Sequence, residues 1–297
     1  MIDLHLHTTA SDGLLDPASL VARAASAGLR VISVTDHDTV SGIERASAAA
    51  GDLGLRLVPG IEMTAVEGER DVHILGYFFD PGHDVLSRFL TVQRADRVRR
   101  VREMAARLQP LGCAIDVEPL LAGPPGRSVG RPAIADALVA GGHARDRNDA
   151  FARLLGRGRP AFVPRRGVAG AEVIAIIHAS GGIASLAHPG VLAEDALIPA
   201  LAAAGLDALE VWHSDHSAAQ SAHYSTLACE LGLARSGGSD YHGDGVHRAA
   251  RLGRVSLGES EFNLLESVAA ARRAQAVSAP AGPRESRATS KSGEPRW

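Results

Sequence analysis

The feature that most constrains this chain is a repeated pattern in which a short apolar run carries or precedes a side chain of the kind that binds metal ions. The first example is the strand-like segment 1–7, which contains His5 and His7. Successive side chains of a β-strand point to opposite faces, so the two imidazoles share one face about 7 Å apart. A single His-x-His pair is weak evidence for a metal site, because an amphipathic strand can carry one by chance.

Three later apolar runs precede a histidine or a glutamate: 31–34 before His37, 55–58 before Glu62, and 183–187 before His188. Two more motifs, Asp71-Val72-His73 and Asp240-Tyr241-His242, add side chains of the same kind. We therefore expect metal-ligating residues to gather where parallel strands end.

Strand-like and helix-like segments alternate over much of the chain. Strands are predicted at 1–7, 31–35, 56–58, 72–79, 183–187 and 208–212, and helices at 17–28, 40–50, 168–179, 195–204 and 218–231. Residues 232–242 are predicted to form a glycine-rich loop. This alternation predicts an α/β fold with a mostly parallel sheet or barrel.

The middle of the chain leaves this alternation. Helices are predicted at 83–108, 131–140 and 146–155, with breaks at Pro110 and at the Gly-Pro-Pro-Gly run 123–126. We interpret residues 83–160 as a helical, arginine-rich insertion between two parts of a barrel, 1–82 and 161–275. Residues 276–297 are polar and charged, which predicts a disordered tail.

The charge is distributed unevenly. Residues 88–166 contain 16 arginines and seven acidic residues, a net charge of +9, although the whole chain carries −3 and the remainder therefore about −12. A basic segment on an acidic body favours a polyanionic ligand held beside the metals. A solvated, salt-bridged arginine face would explain the composition equally well.

Cysteine content and hydropathy exclude several classes of protein. Cys113 and Cys229 lie far apart and outside any Cys-x-x-Cys motif, which argues against a disulfide scaffold or a thiolate zinc site. The N-terminus shows no signal-peptide pattern, and no run approaches the ~18 apolar residues of a membrane span. We expect a soluble, cytoplasmic protein with no membrane partner and no obligatory protein partner.

These motifs resemble those of the polymerase and histidinol phosphatase (PHP) superfamily of phosphoesterases, over roughly residues 1–80 and 160–260. The resemblance implies a distorted seven-stranded (β/α) barrel that binds up to three metals. Segments around Gly130-Arg131-Pro132 and 158–164 resemble one branch, the 3′,5′-nucleoside bisphosphate phosphatases and 5′-to-3′ exoribonucleases. The metal ligands that the resemblance implies are His5, His7, Asp12, His37, Glu62, His73, His188, Asp240 and His242.

By the same resemblance, His5, His7, Glu62 and Asp240 would hold one ion, Glu62, His73 and His188 a second, and Asp12, His37 and His242 a third. Glu62, Asp240 and His188 are the implied catalytic residues. Imidazole and carboxylate ligands suit Mn²⁺, Fe²⁺ or Zn²⁺ better than Mg²⁺, and we expect two or three such ions with Mn²⁺ first. Neighbouring ions can lower the pKa of a bridging water and orient the resulting hydroxide for in-line attack on phosphorus.

Several other residues have competing interpretations. Arg131 is the candidate for binding a second phosphate, because a guanidinium can grip phosphate bidentately, but it is also one arginine among sixteen. Related sequences often carry a histidine two residues later, where this chain has Ala133. Asp36 and Asp38 either orient His37 or cap a loop. Seven further histidines are not candidate ligands: we expect loop or substrate-contact roles for His213 and His216, a structural role for His178, and surface positions for His83, His143, His223 and His247.

The sequence therefore favours a metal-dependent phosphatase or exonuclease acting on nucleotides, such as 3′,5′-bisphosphate nucleotides or short 5′-phosphorylated RNA. One alternative is a small-molecule phosphatase of the histidinol-phosphate kind, for which the arginine-rich insertion would be unnecessary. Another is a non-catalytic PHP module that binds metals for stability, and degenerate ligand positions would mark that class.

Overall fold

The computed structural model describes residues 1–243 and 252–278 of the 297-residue chain. In this part of the chain seven strands form one sheet, and each strand pairs with the next in chain order. The first and last strands also meet, because the His7 amide donates to the Tyr241 carbonyl at 3.0 Å and the Asp240 amide donates to the His5 carbonyl at 2.8 Å. The sheet closes into a distorted barrel, which confirms the predicted fold class. The strands are β1 (Ile2–Leu6), β2 (Val31–Val34), β3 (Arg56–Glu67), β4 (Arg70–Tyr77), β5 (Ile183–Leu186), β6 (Ala208–His213) and β7 (Ala234–Gly238).

The helices begin at residues suited to that role. Asp16 caps the first helix by accepting from the Ala18 amide, with Pro17 at the first helical position, and Ser217 forms a capping box with Gln220. Two 3₁₀ turns (Gln109–Leu111 and Asp195–Leu197) and a π-helical turn (Phe151–Leu155) join them. The helices are α1 (Pro17–Ser26), α2 (Ile43–Asp52), α3 (Asp84–Leu108), α4 (Glu118–Leu121), α5 (Arg131–Ala140), α6 (Arg147–Ala150), α7 (Gly170–Ala179), α8 (Pro189–Leu192), α9 (Ile198–Ala203), α10 (Ala218–Glu230) and α11 (Glu259–Ser278).

The fourth strand runs against its neighbours. β4 pairs antiparallel with both β3 and β5, whereas the other pairings between the described strands are parallel. β3 and β4 form a hairpin whose turn is Gly68-Glu69, and Gly68 has a φ of 62°, which favours glycine. The sheet is mostly parallel, as predicted, and β4 is the exception.

The third strand is longer than predicted. β3 continues to Glu67 instead of ending near residue 58, so Glu62 lies inside a strand and not after one. The expectation that Glu62 follows a strand end was wrong. Pro59 and Gly60 interrupt the apolar run in the sequence and concealed the continuation, since both residues are rare inside strands.

The seventh strand replaces part of the predicted glycine-rich loop. β7 has the sequence Ala-Arg-Ser-Gly-Gly, which has little strand propensity. A Cβ atom at Gly238 would lie 2.4 Å from the Cβ and the amide nitrogen of His5. Glycine is therefore required here because the backbone of β7 passes directly against β1.

The helical insertion between β4 and β5 has an apolar core of its own. Residues 78–182 are all described and contain no strand. Helices α3 and α5 and the π-helical turn pack around buried side chains that include Val101, Met104, Ile134, Leu138 and Leu155. The barrel cores are formed by other residues, because α7, α10 and α11 pack against the strands.

The last helix was not predicted from the sequence. α11 is fastened to the barrel by Arg272, which is paired with Asp207, and Asp207 also bonds His178 Nε2 at 2.7 Å. This places His178 in a structural role. Of the predicted tail, residues 276–278 belong to α11 and 279–297 lie outside the described residues, as does His247. No helix in the described ranges is both long enough and apolar enough to cross a membrane.

Candidate metal centre

Glu62 lies at the centre of the site. Its side chain is buried, and five imidazole rings surround its two carboxylate oxygens. Ring nitrogens face Oε2 at 3.4, 3.3 and 3.0 Å, from His5, His7 and His37 respectively. Ring nitrogens face Oε1 at 2.8 and 3.0 Å, from His73 and His188. One carboxylate therefore organises five of the predicted ligands.

The remaining predicted ligands complete the cluster. Asp240 Oδ1 lies 3.1 Å from His7 Nε2 and 3.5 Å from both His5 Nε2 and His242 Nδ1. Asp12 lies 3.4 Å from His242 Nε2 and 3.8 Å from nitrogens of His7 and His37. All nine predicted residues thus lie at one mouth of the barrel.

The spacing of these atoms fits a set of metal ligands. Two ligands at about 2.1 Å from one ion are about 3.0 Å apart in octahedral and about 3.4 Å apart in tetrahedral geometry. The distances above fall around these values. The donor atoms form overlapping groups within 4.8 Å of one another: His5, His7, Glu62 and Asp240; His7, Asp12, His37 and His242; and His37, Glu62 and His73. His7 belongs to two groups, a role that the resemblance did not imply.

Many of these atoms are buried without a hydrogen-bond partner. Among the described residues, His7 Nδ1 and Nε2, Glu62 Oε2 and His73 Nδ1 are in this state. Buried polar atoms without partners are costly, and native proteins rarely leave several of them together. Divalent cations would satisfy them as ligands, so the donor set fits a multinuclear metal site.

The electrostatics of the cluster also favour positive charge. Burial by itself would lower the pKa of His5, but the carboxylates of Glu210 and Glu62 beside the ring raise it to about 10. Burial would raise the pKa of Glu62, but the surrounding imidazoles hold it well below its usual range. The site therefore keeps its carboxylates charged and attracts cations.

Two ligands are held by unusual backbone conformations. His188 and Asp240 have φ angles of 29° and 53°, in a region that non-glycine residues rarely adopt. His188 follows β5 and Asp240 follows β7, so each turn directs a side chain inward from a strand end. Such strain persists where the surrounding structure imposes it, and it concentrates at functional sites.

Glu210 was missed in the sequence although it holds two ligands in place. It lies in β6, is fully buried, accepts from His5 Nδ1 at 2.9 Å and accepts from the His188 amide at 2.6 Å. The bond to Nδ1 fixes the tautomer in which His5 Nε2 faces the cluster. A charged residue inside an otherwise apolar predicted strand was the signal that could have revealed it.

His213 at the end of β6 has a similar function for Asp240. The Asp215 amide donates to its Nδ1 at 3.0 Å, so its Nε2 carries the proton and donates to Asp240 Oδ2 at 3.2 Å. The neighbouring His216 instead bonds the Val211 carbonyl and the Gly190 amide. His213 therefore orients a ligand, and His216 fastens β6 to the segment that follows His188.

Asp36 and Asp38 do not orient His37 through hydrogen bonds in the described structure. Asp36 accepts from the Thr8 and Ser11 hydroxyls, each at 2.6 Å, and so anchors the loop that carries Asp12. Asp38 accepts from Arg97 Nε at 2.7 Å and from Arg165 Nη1 at 3.1 Å. The loop-anchoring interpretation holds for Asp36, whereas Asp38 belongs to a neighbouring ionic cluster.

The ligands form the floor of a cavity of about 850 Å³. Helices α5 and α6 and the residues that flank α6 supply one wall, which combines apolar, basic, acidic and amide side chains: Pro132, Asp136, Val139, Arg145, Asp146, Arg147, Asn148 and Phe151. Arg131 lies behind this wall, bonds Asp71 Oδ2 at 3.2 Å, and stacks at 5.8 Å from the ring centre of Phe151. Ala133, at the position where related sequences often carry a histidine, packs against the apolar core of the helical insertion.

Comparisons with known proteins agree with this site. The model of the PHP domain matches residues 3–109. The 5′-3′ exoribonuclease of Haemophilus influenzae is 40% identical over 189 residues, which are 63% of this chain and 68% of that protein. The 3′,5′-nucleoside bisphosphate phosphatase of Chromobacterium violaceum is 34% identical over 191 residues, 64% of this chain and 67% of that protein. The matches thus span about two thirds of these relatives.

A solved structure supports the same conclusion. A protein from Bifidobacterium adolescentis, assigned as a metal-dependent phosphoesterase, has a TM-score of 0.82 at 35% identity, covering 90% of this chain and 96% of that one. The class of the protein follows: it is a metal-dependent phosphoesterase, a hydrolase of phosphate esters. Within that class, the chain belongs to the PHP domain family.

Proposed function

We propose that this protein hydrolyses phosphate esters of nucleotides, with 3′,5′-bisphosphate nucleotides and short 5′-phosphorylated RNA as the substrates. The observation that carries the proposal is the convergence of five imidazole nitrogens on the Glu62 carboxylate at distances of 2.8 to 3.4 Å. The names of the relatives from Haemophilus influenzae and Chromobacterium violaceum support the choice of nucleotide substrates.

The proposed cofactors are two or three divalent cations. His5, His7, Glu62 and Asp240 would hold one, and Glu62 with His73 and His188 a second. Asp12, His37 and His242, joined by His7, would hold the third. The mixture of nitrogen and oxygen donors favours Mn²⁺, Fe²⁺ or Zn²⁺ over Mg²⁺, and Mn²⁺ is our first choice. When bound, such cations make water a nucleophile near neutral pH and offset charge on the phosphoryl group.

The protein itself would orient the ligands and position the substrate. Glu210 and His213 hold His5 and Asp240 in fixed orientations, so the site is rigid before substrate arrives. The cavity wall supports a nucleotide ligand, because Pro132, Val139 and Phe151 offer an apolar surface to a base or ribose. Preformed positioning of this kind lowers the entropic part of the activation barrier.

A substrate panel tests the proposal. Purified protein loaded with Mn²⁺ would be assayed on a 3′,5′-bisphosphate nucleotide, histidinol phosphate, 5′-phosphorylated RNA and 5′-hydroxyl RNA. We expect the bisphosphate nucleotide or the 5′-phosphorylated RNA to give the highest kcat/KM. Highest activity on histidinol phosphate would support the small-molecule alternative, and no hydrolysis with Mn²⁺, Fe²⁺ or Zn²⁺ would support a non-catalytic module.

A further inference from the structure

Asp3 is a fully buried carboxylate in β1 that is not one of the proposed ligands. Because side chains alternate along a strand, Asp3 projects from the same face of β1 as His5 and His7 and lies one layer deeper in the barrel. Aspartate is almost never fully buried unless it is paired with other groups. The hydrogen-bond partners of Asp3 therefore indicate what the carboxylate does there.

One oxygen of Asp3 holds two backbone amides. Asp3 Oδ1 accepts from the His5 amide at 3.2 Å and from the Ser239 amide at 2.9 Å. The first bond is local: the pairing of β1 with β2 shifts between Asp3 and Leu6, and the His5 amide within this shift donates to the side chain. The second bond joins residues 236 positions apart in the sequence. A single oxygen thus ties β1 to the residue that follows β7.

The close approach of β7 to β1 makes the second bond possible. Gly238 is the last residue of β7, and a Cβ atom there would lie 2.9 Å from Asp3 Oδ1 and 2.4 Å from the His5 Cβ atom. A larger residue at this position would push β7 away from β1 and lengthen the bond between the Ser239 amide and Asp3. The glycine and the hydrogen bond are therefore parts of one local arrangement.

Asp3 joins residues that carry or adjoin proposed ligands of one cation. His5 is such a ligand, and Ser239 directly precedes Asp240, whose φ of 53° must be imposed by the surrounding structure. Distances in a metal site tolerate deviations of only about 0.2 Å, so the spacing of β1 and β7 decides whether these donors can share a cation. The proposed donors come from β1, from β3 and from the segment after β7: His5, His7, Glu62 and Asp240.

We propose that Asp3 is a positioning residue, which sets the spacing of His5 and Asp240 for this cation by holding two backbone amides on one oxygen. The inference rests on the proposed function, because it concerns one of the proposed cations. Asp3 acts through the backbone, whereas Glu210 and His213 bond the side chains of the same two ligands. The acceptor oxygen of Asp3, and not its charge, performs this role.

The test is a calorimetric titration of the metal-free, full-length protein with Mn²⁺. Asp3→Leu keeps the branched shape of the side chain but removes the acceptor, whereas Asp3→Asn keeps an acceptor oxygen. Asp207→Leu is the matched control, because Asp207 is also a buried aspartate that accepts from a backbone amide, that of Ala184 at 2.8 Å. Asp207 directly precedes β6, so it lies at the end of the barrel opposite the proposed ligands.

We expect Asp3→Leu to lower the Mn²⁺ affinity of one site about 10- to 100-fold, the usual effect of losing a group that orients ligands, and Asp3→Asn to stay within about threefold of wild type. Asp207→Leu should lose stability in urea denaturation but keep its Mn²⁺ affinity.

A change of less than about threefold in Asp3→Leu would overturn the inference, and so would an equal loss of affinity in Asp3→Asn or in Asp207→Leu. If Asp3→Leu does not fold, Asp3→Ala, which removes the acceptor without adding bulk, takes its place. If neither variant folds, Asp3 serves the fold and not the ligands, and the inference fails.

The titration separates this inference from the proposed function, because metal binding needs no turnover. If wild type binds Mn²⁺ but hydrolyses no phosphate ester, the proposed function alone fails, and the affinities of the variants still decide the role of Asp3. If wild type binds none of Mn²⁺, Fe²⁺ and Zn²⁺, both the proposed function and the role of Asp3 are refuted.

Discussion

The metal centre and a neighbouring ionic cluster use the same kind of side chain in opposite ways. The metal centre gathers imidazoles around the carboxylate of Glu62 and favours cations. The neighbouring guanidinium cluster gathers arginines around two aspartates, and its residues are Asp38, Asp71, Arg97, Arg100, Arg131 and Arg165. The two share a border, since His37 and Asp38 are adjacent in sequence and Asp71 is two residues from His73. The role of an aspartate is therefore decided by the side chains that other segments bring to it, and not by its own position in the sequence.

Removal of metal ions should give the largest difference between the roles of the two regions. We expect a chelator to abolish hydrolysis completely and added Mn²⁺ to restore it, because the proposed chemistry depends on cations in the metal centre, whereas the guanidinium cluster needs none. Elemental analysis of the reconstituted protein should find two or three ions per chain. Fewer than one ion per chain with activity retained would show that the ligand cluster is not the catalytic centre.

Substitution of the central carboxylates should have the next largest effect. Glu62→Gln and Asp240→Asn each keep the shape of the side chain but remove a negative ligand, and we expect kcat/KM to fall about a thousandfold or more. Glu69→Gln is the matched control, because Glu69 lies in the exposed turn that follows β3 and pairs with Arg157. The assignment of these two residues would be wrong if either variant kept activity within tenfold of wild type while circular dichroism showed the native fold.

Asp38→Asn tests the guanidinium cluster through stability. Removing one partner of a buried ion pair leaves uncompensated charge, and we expect the free energy of unfolding to fall by about 3–5 kcal/mol in urea denaturation. Asp136→Asn, which breaks the more exposed pair with Arg147, should cost less than about 1 kcal/mol. Equal losses in the two variants would mean that burial of the guanidinium cluster is energetically unimportant.

The Asp38 carboxylate should also make the free energy of unfolding depend on pH in a direction that can be stated. Burial would raise the pKa of Asp38, but Arg97 and Arg165 hold it below its usual range. A carboxylate with a lowered folded-state pKa contributes stability above its unfolded pKa of about 4, and this contribution is lost as the pH falls through the folded value. The difference in stability between wild type and Asp38→Asn should therefore shrink below about pH 4.

Glu210→Gln should have the smallest of these effects. Glu210 touches the proposed ligand His5 and not the substrate, and loss of such an orienting carboxylate typically lowers metal affinity about 10- to 100-fold. Titration of metal-free protein with Mn²⁺ would measure this, with activity recovering at saturating metal. Glu230→Gln at the exposed end of α10 is a suitable control. Unchanged affinity would show that His5 keeps its orientation without Glu210.

The sequence allowed the floor of the site to be predicted far better than its surroundings. Most proposed ligands lie in or beside short apolar runs, but Asp12 does not, and the full set of nine was implied by the resemblance to PHP phosphoesterases. Partners in the guanidinium cluster give no such local signal, because Arg97 and Arg165 lie 59 and 127 residues from Asp38. Glu210 lay in a predicted strand, but its contact with His5 spans 205 residues.

The fold, like the site, was only partly predictable from the sequence. The alternation of strands and helices predicted an α/β fold with a mostly parallel sheet or barrel, and the family resemblance implied the barrel. The apolar stripe of residues 83–108 predicted α3. β7 escaped prediction because close packing against β1 requires glycine at position 238, and glycine has little strand propensity. The reversal of β4 depends on the short turn at Gly68-Glu69, which a strand prediction ending near residue 58 could not include.

Closure of the barrel between β1 and β7 has a consequence for its dynamics. The amides of His7 and Asp240 form the backbone bonds across this seam, and the same two residues carry proposed ligands of one cation. A cation bound by His7 and Asp240 would cross-link β1 to β7, so the barrel could not open locally at this seam until the cation left. Amide hydrogen exchange at His7 and Asp240 should then slow markedly on addition of Mn²⁺, and the exchange rate at the seam would report cation residence time.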